Sequence, residues 1–455
     1  MAPSINGTAG ATITAGEAPS NGATMAEPNT HNALRFDTLA THNTEPEAPT
    51  GAIVPSICLA TAFQQEEVGV AGGHTYTRFG NPNRNSLEAN LAALEGAKTA
   101  ICFSSGTAVT TALVNMVPRG GHIVSVSSVY GGTHKIFTQI INKTNEIGTT
   151  FVDLSHKDEN VVAQRLEEAI GKGQTKLVWL ETPTNPDLSL VDIALVSRVA
   201  KRIDPSIVVV VDSTFASPWF QNPLSLGADV VMHSLTKYLN GHSDVLMGAA
   251  VTSSDDLATH LRLHQAALGA VPSPFDCWLA MRGIKTLGVR MREHGRNALK
   301  LAKWMQAHPY IKDVIYPGLP EHPSFDLVAK QISPKAMQAQ QPRNIAQDGI
   351  EYSGMLSFRL NCDATDKEPG AALLKRLEVI TLALSLGGVE SLIEQPSTMT
   401  HWMVPEAERL QLGIGHDLIR LSVGLEDVED LMEDLDRALQ AVFGGAAGKK
   451  MKMSA

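Results

Sequence analysis

Four polar segments of this chain stand directly after short apolar runs, and the residue types in them suggest one chemistry. Thr99 to Phe103 (TAICF) is followed by Ser104, Ser105, Gly106 and Thr107, small residues that would let backbone N–H groups and a helix N-terminus approach a phosphate closely. Alone, a Ser-Gly pair at a helix start is more often a simple cap. Lys176 to Leu180 (KLVWL) is followed by Glu181, Thr182, Pro183, Thr184, Asn185 and Pro186, a rigid turn dense in hydrogen-bonding groups. Ile207 to Val211 (IVVVV) ends on Asp212, an acid that needs a partner if buried, either the following loop or a cationic ligand group. Asp229 to Met232 (DVVM) leads into His233, Ser234, Leu235, Thr236, Lys237 and Tyr238, where two hydroxyls flank a lysine. An isolated lysine is ordinarily a solvated charge. Together these ends offer a phosphate nest, an acid able to pair with a ring nitrogen and a lysine able to condense with an aldehyde. Those are the requirements of pyridoxal 5'-phosphate.

The elements that must position these residues are short strands alternating with helical patterns. The runs above, with His122 to Val126 (HIVSV), read as strands buried on both faces, as a parallel sheet demands. Asp158 to Ile170 carries Val161, Val162, Leu166 and Ile170 at helical spacing. In such an open sheet, ligands gather at the carboxyl ends of the strands, where the four polar segments stand. After Pro272 to Pro274 the texture changes to a long helical run, Phe275 to about His308. Tyr352 to Leu360 reads as a strand, and Gln338 to Asp348 as a surface loop. A terminal amphipathic helix has Leu425, Val428, Leu431, Leu435, Leu439 and Val442 on one face and acids on the other.

With 455 residues, roughly two to three domains are expected at about 150 residues each. We expect a tail over 1–33, an arm over 34–85, a large cofactor domain over 86–274, a smaller C-terminal domain over 275–445 and a tail over 446–455. The N-terminal tail is too poor in apolar residues to offset its ordering entropy, so it is expected to be disordered. A net charge of -10, without a long Lys/Arg cluster, argues against nucleic acid as a partner. No apolar run is long enough to span a membrane. The 4 cysteines lack CxxC spacing, and Cys58 and Cys102 fall in apolar segments, so buried free thiols in a reducing compartment are expected. The first 34 residues lack Lys and Arg, which fits neither a secretory nor a mitochondrial leader and leaves the cytoplasm as the default. His260 and His264 have i, i+4 spacing but no HExxH acid, so an exposed helix face is expected and no metal site. Neither GxGxxG after a strand nor GxxxxGK[ST] is present.

Tyr76-Thr-Arg78-Phe-Gly-Asn-Pro82, Ser105-Gly106, Val129-Tyr130-Gly-Gly132, the run Glu181 to Pro186, Val211 to Phe215, Ser234 to Asp244, Gly269 to Pro274 and Ile419 to Gly424 are long motifs in a fixed order. From about Arg35 to Phe443 the chain resembles the Cys/Met-metabolism family of fold-type I pyridoxal-phosphate enzymes, and within it the cystathionine γ-lyases and γ-synthases. The resemblance implies an α/β fold, with a large domain around a mostly parallel sheet and a smaller α+β C-terminal domain. It assigns Lys237 to covalent attachment of the cofactor and to proton transfer, and Asp212 to the pyridine nitrogen. Gly106, Thr107, Ser234 and Thr236 would hold the phosphate, with Tyr76 and Arg78 from a neighbouring subunit, and Thr214 and Asn185 would join the cofactor site. Tyr130 would stack on the ring and act in acid/base steps. Arg420, Asn185 and the backbone near Ser385 would fix the substrate α-carboxylate. A homotetramer, a dimer of dimers, is implied.

The activity implied is γ-elimination on L-cystathionine or a related γ-substituted amino acid, giving an α-keto acid, ammonia and a thiol. A γ-replacement on an O-acylhomoserine, with cysteine or a carbon nucleophile as acceptor, is the alternative. A non-catalytic descendant would be expected to lose Lys237 or Asp212, and both remain. Three positions depart from the family pattern: Leu384 stands where Glu is usual near the distal part of the substrate, Lys135 replaces Arg, and Ser213 replaces Asn. Gly132 occupies the position of the methionine γ-lyase cysteine, which argues against that subgroup.

Overall fold

The computed structural model describes residues 34–42, 50–171 and 174–444, so the two expected tails lie outside the described residues. Seven strands form the first sheet: β1 (Thr99–Phe103), β2 (His122–Val126), β3 (Gly148–Val152), β4 (Thr175–Glu181), β5 (Val208–Asp212), β6 (Val230–Ser234) and β7 (Gly248–Thr252). Their order is β1-β7-β6-β5-β4-β2-β3. Five of the strands, from β6 to β3 in that order, are mutually parallel, while β7 runs antiparallel between β6 and β1. Two reversals leave β1 parallel to β6, so the carboxyl ends of β1, β4, β5 and β6 share one edge. That geometry collects the four polar segments.

The apolar runs form strands because helices cover the sheet, and their residues lose water on both sides. Val209, Val210, Val211, Leu177 and Ile123 join Val162 and Leu166 of helix Glu159–Ile170 in one core. Two strands of this sheet escaped the sequence reading, as did four of the second sheet. Gly148–Val152 is a half-buried edge strand, and Gly248–Thr252 (GAAVT) is rich in Gly and Ala, which carry little strand preference. Gly248 is needed small, because a Cβ there would lie 2.6 Å from the Ser105 carbonyl oxygen and 2.7 Å from Gly106.

A second sheet contains β8 (Ile311–Ile315), β9 (Met355–Leu360), β10 (Thr381–Leu382), β11 (Leu392–Glu394) and β12 (Leu418–Ser422) in the order β8-β9-β12-β11-β10. Helices Leu287–Gln306 and Val428–Phe443 pack on it through Leu301, Met305, Leu431, Leu435 and Leu439 against Leu356, Phe358 and Ile419. The expected helical run from Phe275 is two helices, Pro274–Ile284 and Leu287–Gln306. The strand expected from Tyr352 starts at Met355, because Ser353 turns the chain at φ 64°.

The expected surface loop Gln338 to Asp348 is partly buried. Gln340 accepts a hydrogen bond from the Glu351 backbone N–H at 2.7 Å and donates to the Glu351 carbonyl at 3.0 Å. Cys102 and Cys277 are the buried thiols, whereas Cys58 is half-buried, and all four cysteines are free. His260 and His264 stack at 4.0 Å on a half-buried face rather than an exposed one. In the terminal helix, Leu425 precedes the first turn and Asp434 lies on the buried side. Its carboxylate accepts hydrogen bonds from the backbone N–H groups of Glu378, Val379 and Ile380 at 2.9, 3.0 and 3.0 Å.

Burial pushes the Asp434 carboxyl up, but those three bonds and Arg437 outweigh it and hold the group below the ordinary value of 3.8. A carboxyl held low stabilises the fold above its unfolded pKa and loses that contribution as the pH falls. Asp434→Ala is therefore expected to cost about 3 kcal/mol near pH 7 in denaturant titrations. The difference from the parent protein should narrow as the pH is lowered through 4; a gap that is small at pH 7 or independent of pH would contradict this anchoring role.

Candidate active site

The shared edge of the first sheet opens on a cavity of about 160 Å³. Gly106, Thr107, Tyr130, Asn185, Asp212, Thr214, Ser234, Thr236 and Lys237 all line it. At one wall, helix Gly106–Val114 begins behind β1, with the Ser105 hydroxyl capping the Ala108 N–H at 3.1 Å. The N-terminal N–H groups and the helix dipole favour an anion there, and the hydroxyls of Thr107, Ser234 and Thr236 stand on the same cavity. Close approach requires Gly106, whose Cβ would lie 3.1 Å from Met232 and 3.3 Å from Ser234. Thr214 accepts the Ser234 N–H at 2.9 Å and so ties the end of β6 to the loop after β5. The Thr236 hydroxyl donates to the Met247 carbonyl at 3.2 Å and accepts from the Met247 N–H at 3.1 Å.

Asp212 closes β5 and is buried. Its Oδ1 accepts the Thr214 N–H at 3.0 Å. Burial pushes its pKa up, opposed by Thr214 and by His233. Glu181, at the end of β4, is its register partner across the parallel ladder. Burial, with Asp212 opposite, pushes Glu181 well up, and its Oε2 accepts the Tyr130 N–H at 2.7 Å. That bond fixes the start of the Gly131–Lys135 helix, which continues as a π-helical turn over Ile136–Ile141. The Tyr130 side chain stays 52% exposed at the cavity.

Lys237 lies three residues past β6, and its Nζ donates to the Ser385 hydroxyl at 2.7 Å. Burial, with Arg420 nearby, lowers its pKa to about 8 against a pull in the other direction from Glu394. A substantial neutral fraction at physiological pH makes the amine a nucleophile and a base. Arg420, on β12, is buried. Its Nη1 donates to Asn185 Oδ1 at 3.0 Å and its Nη2 to the Ser385 carbonyl at 2.9 Å. Ser385 holds φ at 96°, a strained conformation that presents both its hydroxyl and its carbonyl to the site.

Five residues expected at the site do not line this cavity: Arg420 and Ser385 stand behind it, bonded to Asn185 and Lys237, which do, and Tyr76, Arg78 and Leu384 lie away from it. Tyr76 and Arg78 are exposed, with Arg78 donating to the Ala266 carbonyl at 3.1 Å. Leu384 is 57% exposed beside Ser385. Three groups were missed: Glu181 as the neighbour of Asp212, the apolar pair Leu246 and Leu386 on the cavity wall, and Glu394 on Arg420. Glu181 had a signal, since adjacent strand runs both end in an acid; Glu394 had none.

Pyridoxal phosphate fits this donor set: a helix N-terminus with hydroxyls for its phosphate, a buried acid that needs a cationic partner, and a desolvated amine for its aldehyde. Fold and site together define a pyridoxal-phosphate-dependent enzyme of fold type I. The chain belongs to the Cys/Met metabolism PLP-dependent enzyme family, whose model matches residues 37–440. It is 46% identical to cystathionine γ-lyase from Mus musculus over 409 residues, 89% of this chain and 95% of that protein. Among solved structures, it is similar to the γ-lyase CalE6 from Micromonospora echinospora (39% identity, TM-score 0.80, covering 89% of this chain and 99% of that one). Cystathionine γ-synthase from Xanthomonas oryzae, solved with aminoacrylate and cysteine, superposes with a TM-score of 0.81 at 36% identity, covering 90% and 98%.

Because a side chain at position 248 would collide with the Ser105–Gly106 turn, Gly248→Ala should fold yet bind the cofactor at least about tenfold more weakly. Titrating apoprotein with pyridoxal phosphate and following the absorption band reads this directly; unaltered affinity would show that the turn does not hold the phosphate.

Proposed function

We propose that this enzyme splits L-cystathionine, or a closely related γ-substituted amino acid, by γ-elimination to cysteine, ammonia and a four-carbon α-keto acid. The observation that carries the reading is the pairing beside the cavity of a buried guanidinium, Arg420, with a desolvated amine, Lys237, both bonded to Ser385. Similarity to proteins named cystathionine γ-lyase supports the choice of reaction. The bound cofactor supplies an aldehyde and an electron-withdrawing ring that stabilises negative charge next to the amino-acid nitrogen.

The residues then divide the work. Arg420 and Asn185 bind the α-carboxylate and orient Cα, as a bidentate cation and its neutral neighbour do well. Lys237 Nζ accepts the proton at Cα and moves protons along the chain toward Cγ. Asp212 would keep the ring nitrogen protonated, while Glu181, pushed toward its neutral form by burial and by Asp212, would leave Asp212 as the acid that faces it. Tyr130 would pack over the ring and serve in acid/base steps at the substrate. Thr107, Ser234, Thr236 and the Gly106 N–H hold the phosphate, with Thr214 bracing Ser234.

Tyr76 and Arg78 act in a neighbouring subunit of a homotetramer, which makes residues 34–85 an intersubunit arm. Exposed Ile53, Leu59, Val68 and Phe79 on that arm support the assignment. Residues 86–274 form the cofactor domain and 275–445 the C-terminal domain in this reading. Among the described residues no helix is long and apolar enough to cross a membrane, and we place the enzyme in the cytoplasm.

The γ-replacement reading, in which a thiol captures the same substrate carbon, draws support from the likeness to the γ-synthase. Incubating the purified holoenzyme with cystathionine, and with O-acetylhomoserine plus cysteine, separates the two by product: α-keto acid and cysteine, or cystathionine. Lys237→Ala should fold but lose at least about a thousandfold in turnover, because attachment and proton transfer act at one centre. Near-normal turnover in that variant would sink the proposal.

Leu384 bears on selectivity. An apolar position discriminates by only about 1–3 kcal/mol per methylene, whereas a site built to pair a charge rejects uncharged ligands strongly. Leu384→Glu should therefore raise kcat/KM for cystathionine, whose distal ammonium is charged, relative to O-acetylhomoserine. A ratio that stays flat or falls would remove Leu384 from substrate selection.

A further inference from the structure

One buried carboxylate at the site has no part in the reaction described above. Glu394, the last residue of β11, is fully buried, and its Oε1 lies 3.1 Å from Arg420 Nη1 and accepts the Thr400 hydroxyl at 2.7 Å. Its other oxygen, Oε2, is buried with no hydrogen-bond partner among the described residues, and so is Arg420 Nε. A guanidinium carries five N–H donors. Asn185, Glu394 and the Ser385 carbonyl take three of them, with Asn185 and Glu394 sharing Nη1. The donors on Nε and the rest of Nη2 remain for a substrate carboxylate.

This arrangement has an electrostatic consequence that hydrogen-bond geometry alone does not. With Arg420 buried and no counter-charge, the site would attract any small carboxylate. Glu394 supplies the opposing charge; burial raises its pKa on balance, against the pull of Arg420, Thr400 and Lys237 toward the charged form. An anion entering the site meets the Glu394 charge as well as the guanidinium, whereas a zwitterionic amino acid brings an ammonium that the same carboxylate attracts. Water screens little of this, because Glu394 and Arg420 are both buried.

We propose that Glu394 is a specificity-determining residue that makes the Arg420 site prefer zwitterionic α-amino acids over α-keto acids of the same shape. The preference would favour departure of the keto-acid product over its re-binding. This inference rests on the γ-elimination reading of the same site, and it concerns the charge on Glu394 and not only its hold on Arg420.

The test compares two ligands of equal length on the holoenzyme: 2-aminobutanoate and 2-oxobutanoate, which differ in an ammonium against a carbonyl. Their dissociation constants are measured by calorimetry for the parent protein, Glu394→Gln and Glu394→Asp. In Glu394→Gln the charge is lost at nearly constant shape, and the ratio of the two constants should move at least about tenfold toward the keto acid. Glu394→Asp retracts the carboxylate from Nη1 but keeps the charge. Both ligands should then bind more weakly, with their ratio within about twofold of the parent.

A parallel weakening of both ligands in Glu394→Gln, with the ratio unchanged, would overturn the proposal and leave only a packing role. If removing the charge prevents folding, Glu394→Asp decides alone: a ratio that collapses toward the keto acid overturns it, and a preserved ratio with weaker binding supports it. Failure of the function reading shows separately, as a parent holoenzyme that does not turn over cystathionine.

Discussion

Taking charged side chains out of water is what this site costs, and the two sheets share that cost by facing each other across it. Arg420 belongs to the second sheet, yet one of its arms bonds Asn185, which follows β4 of the first. Lys237 belongs to the first, yet its amine rests on Ser385 of the second. Neither sheet alone could bury its own ion at acceptable cost, since an unpaired buried charge destabilises by several kcal/mol. The cavity exists where these contacts close. Lys237 has a hydroxyl as its direct partner rather than a carboxylate, which is why burial wins and its pKa falls to about 8.

The backbone around the site departs from regular geometry where the side chains require it. Ser385 sits at positive φ, so its hydroxyl and its carbonyl serve two cations at once. The helix after Tyr130 carries a π-helical turn, a feature that recurs near functional groups because it re-aims the preceding chain. Strand β7 gives up strand preference for smallness, and Gly248 lets the turn before the anion-binding helix lie directly against it. Local preference yields in each case to the position of a polar group, as expected where function competes with regularity.

That competition also explains what could be read from the sequence. Valine-rich runs such as Val208 to Val211 are legible because burial on both faces selects the same residues wherever it occurs, and the polar residue that ends each run is legible by contrast. Asp212, Lys237 and the Ser105–Gly106 turn follow from that rule. Strand β7 does not, because Gly248 answers to the Ser105–Gly106 turn, which a Cβ would strike, and not to strand formation. Asp434 and Gln340 look like surface residues until the chain places backbone N–H groups against them. Glu394 lies 26 positions before Arg420 in the chain, and only the antiparallel pairing of β11 with β12 puts the two in register. Periodicity reports which face is dry; it does not report which distant polar group will share that face.

The register of those strands carries a further implication for how the site divides its charges. Glu181 and Asp212 are partners across β4 and β5, and Glu394 and Arg420 are partners across β11 and β12. In each pair the backbone ladder, rather than a flexible loop, sets the separation of the two ionisable groups. The first pair is two acids, so burial and the nearby Asp212 push Glu181 toward its neutral form, and a cation beside the pair relieves that repulsion. The second has opposite charge and is close to neutral, so it orients an anion without holding it hard. A rigid acidic pair beneath the permanently held cofactor and a balanced pair beneath the transient ligand meet opposite needs, retention at one end of the cavity and exchange at the other. Swapping their characters would favour a site that loses its cofactor and keeps its product.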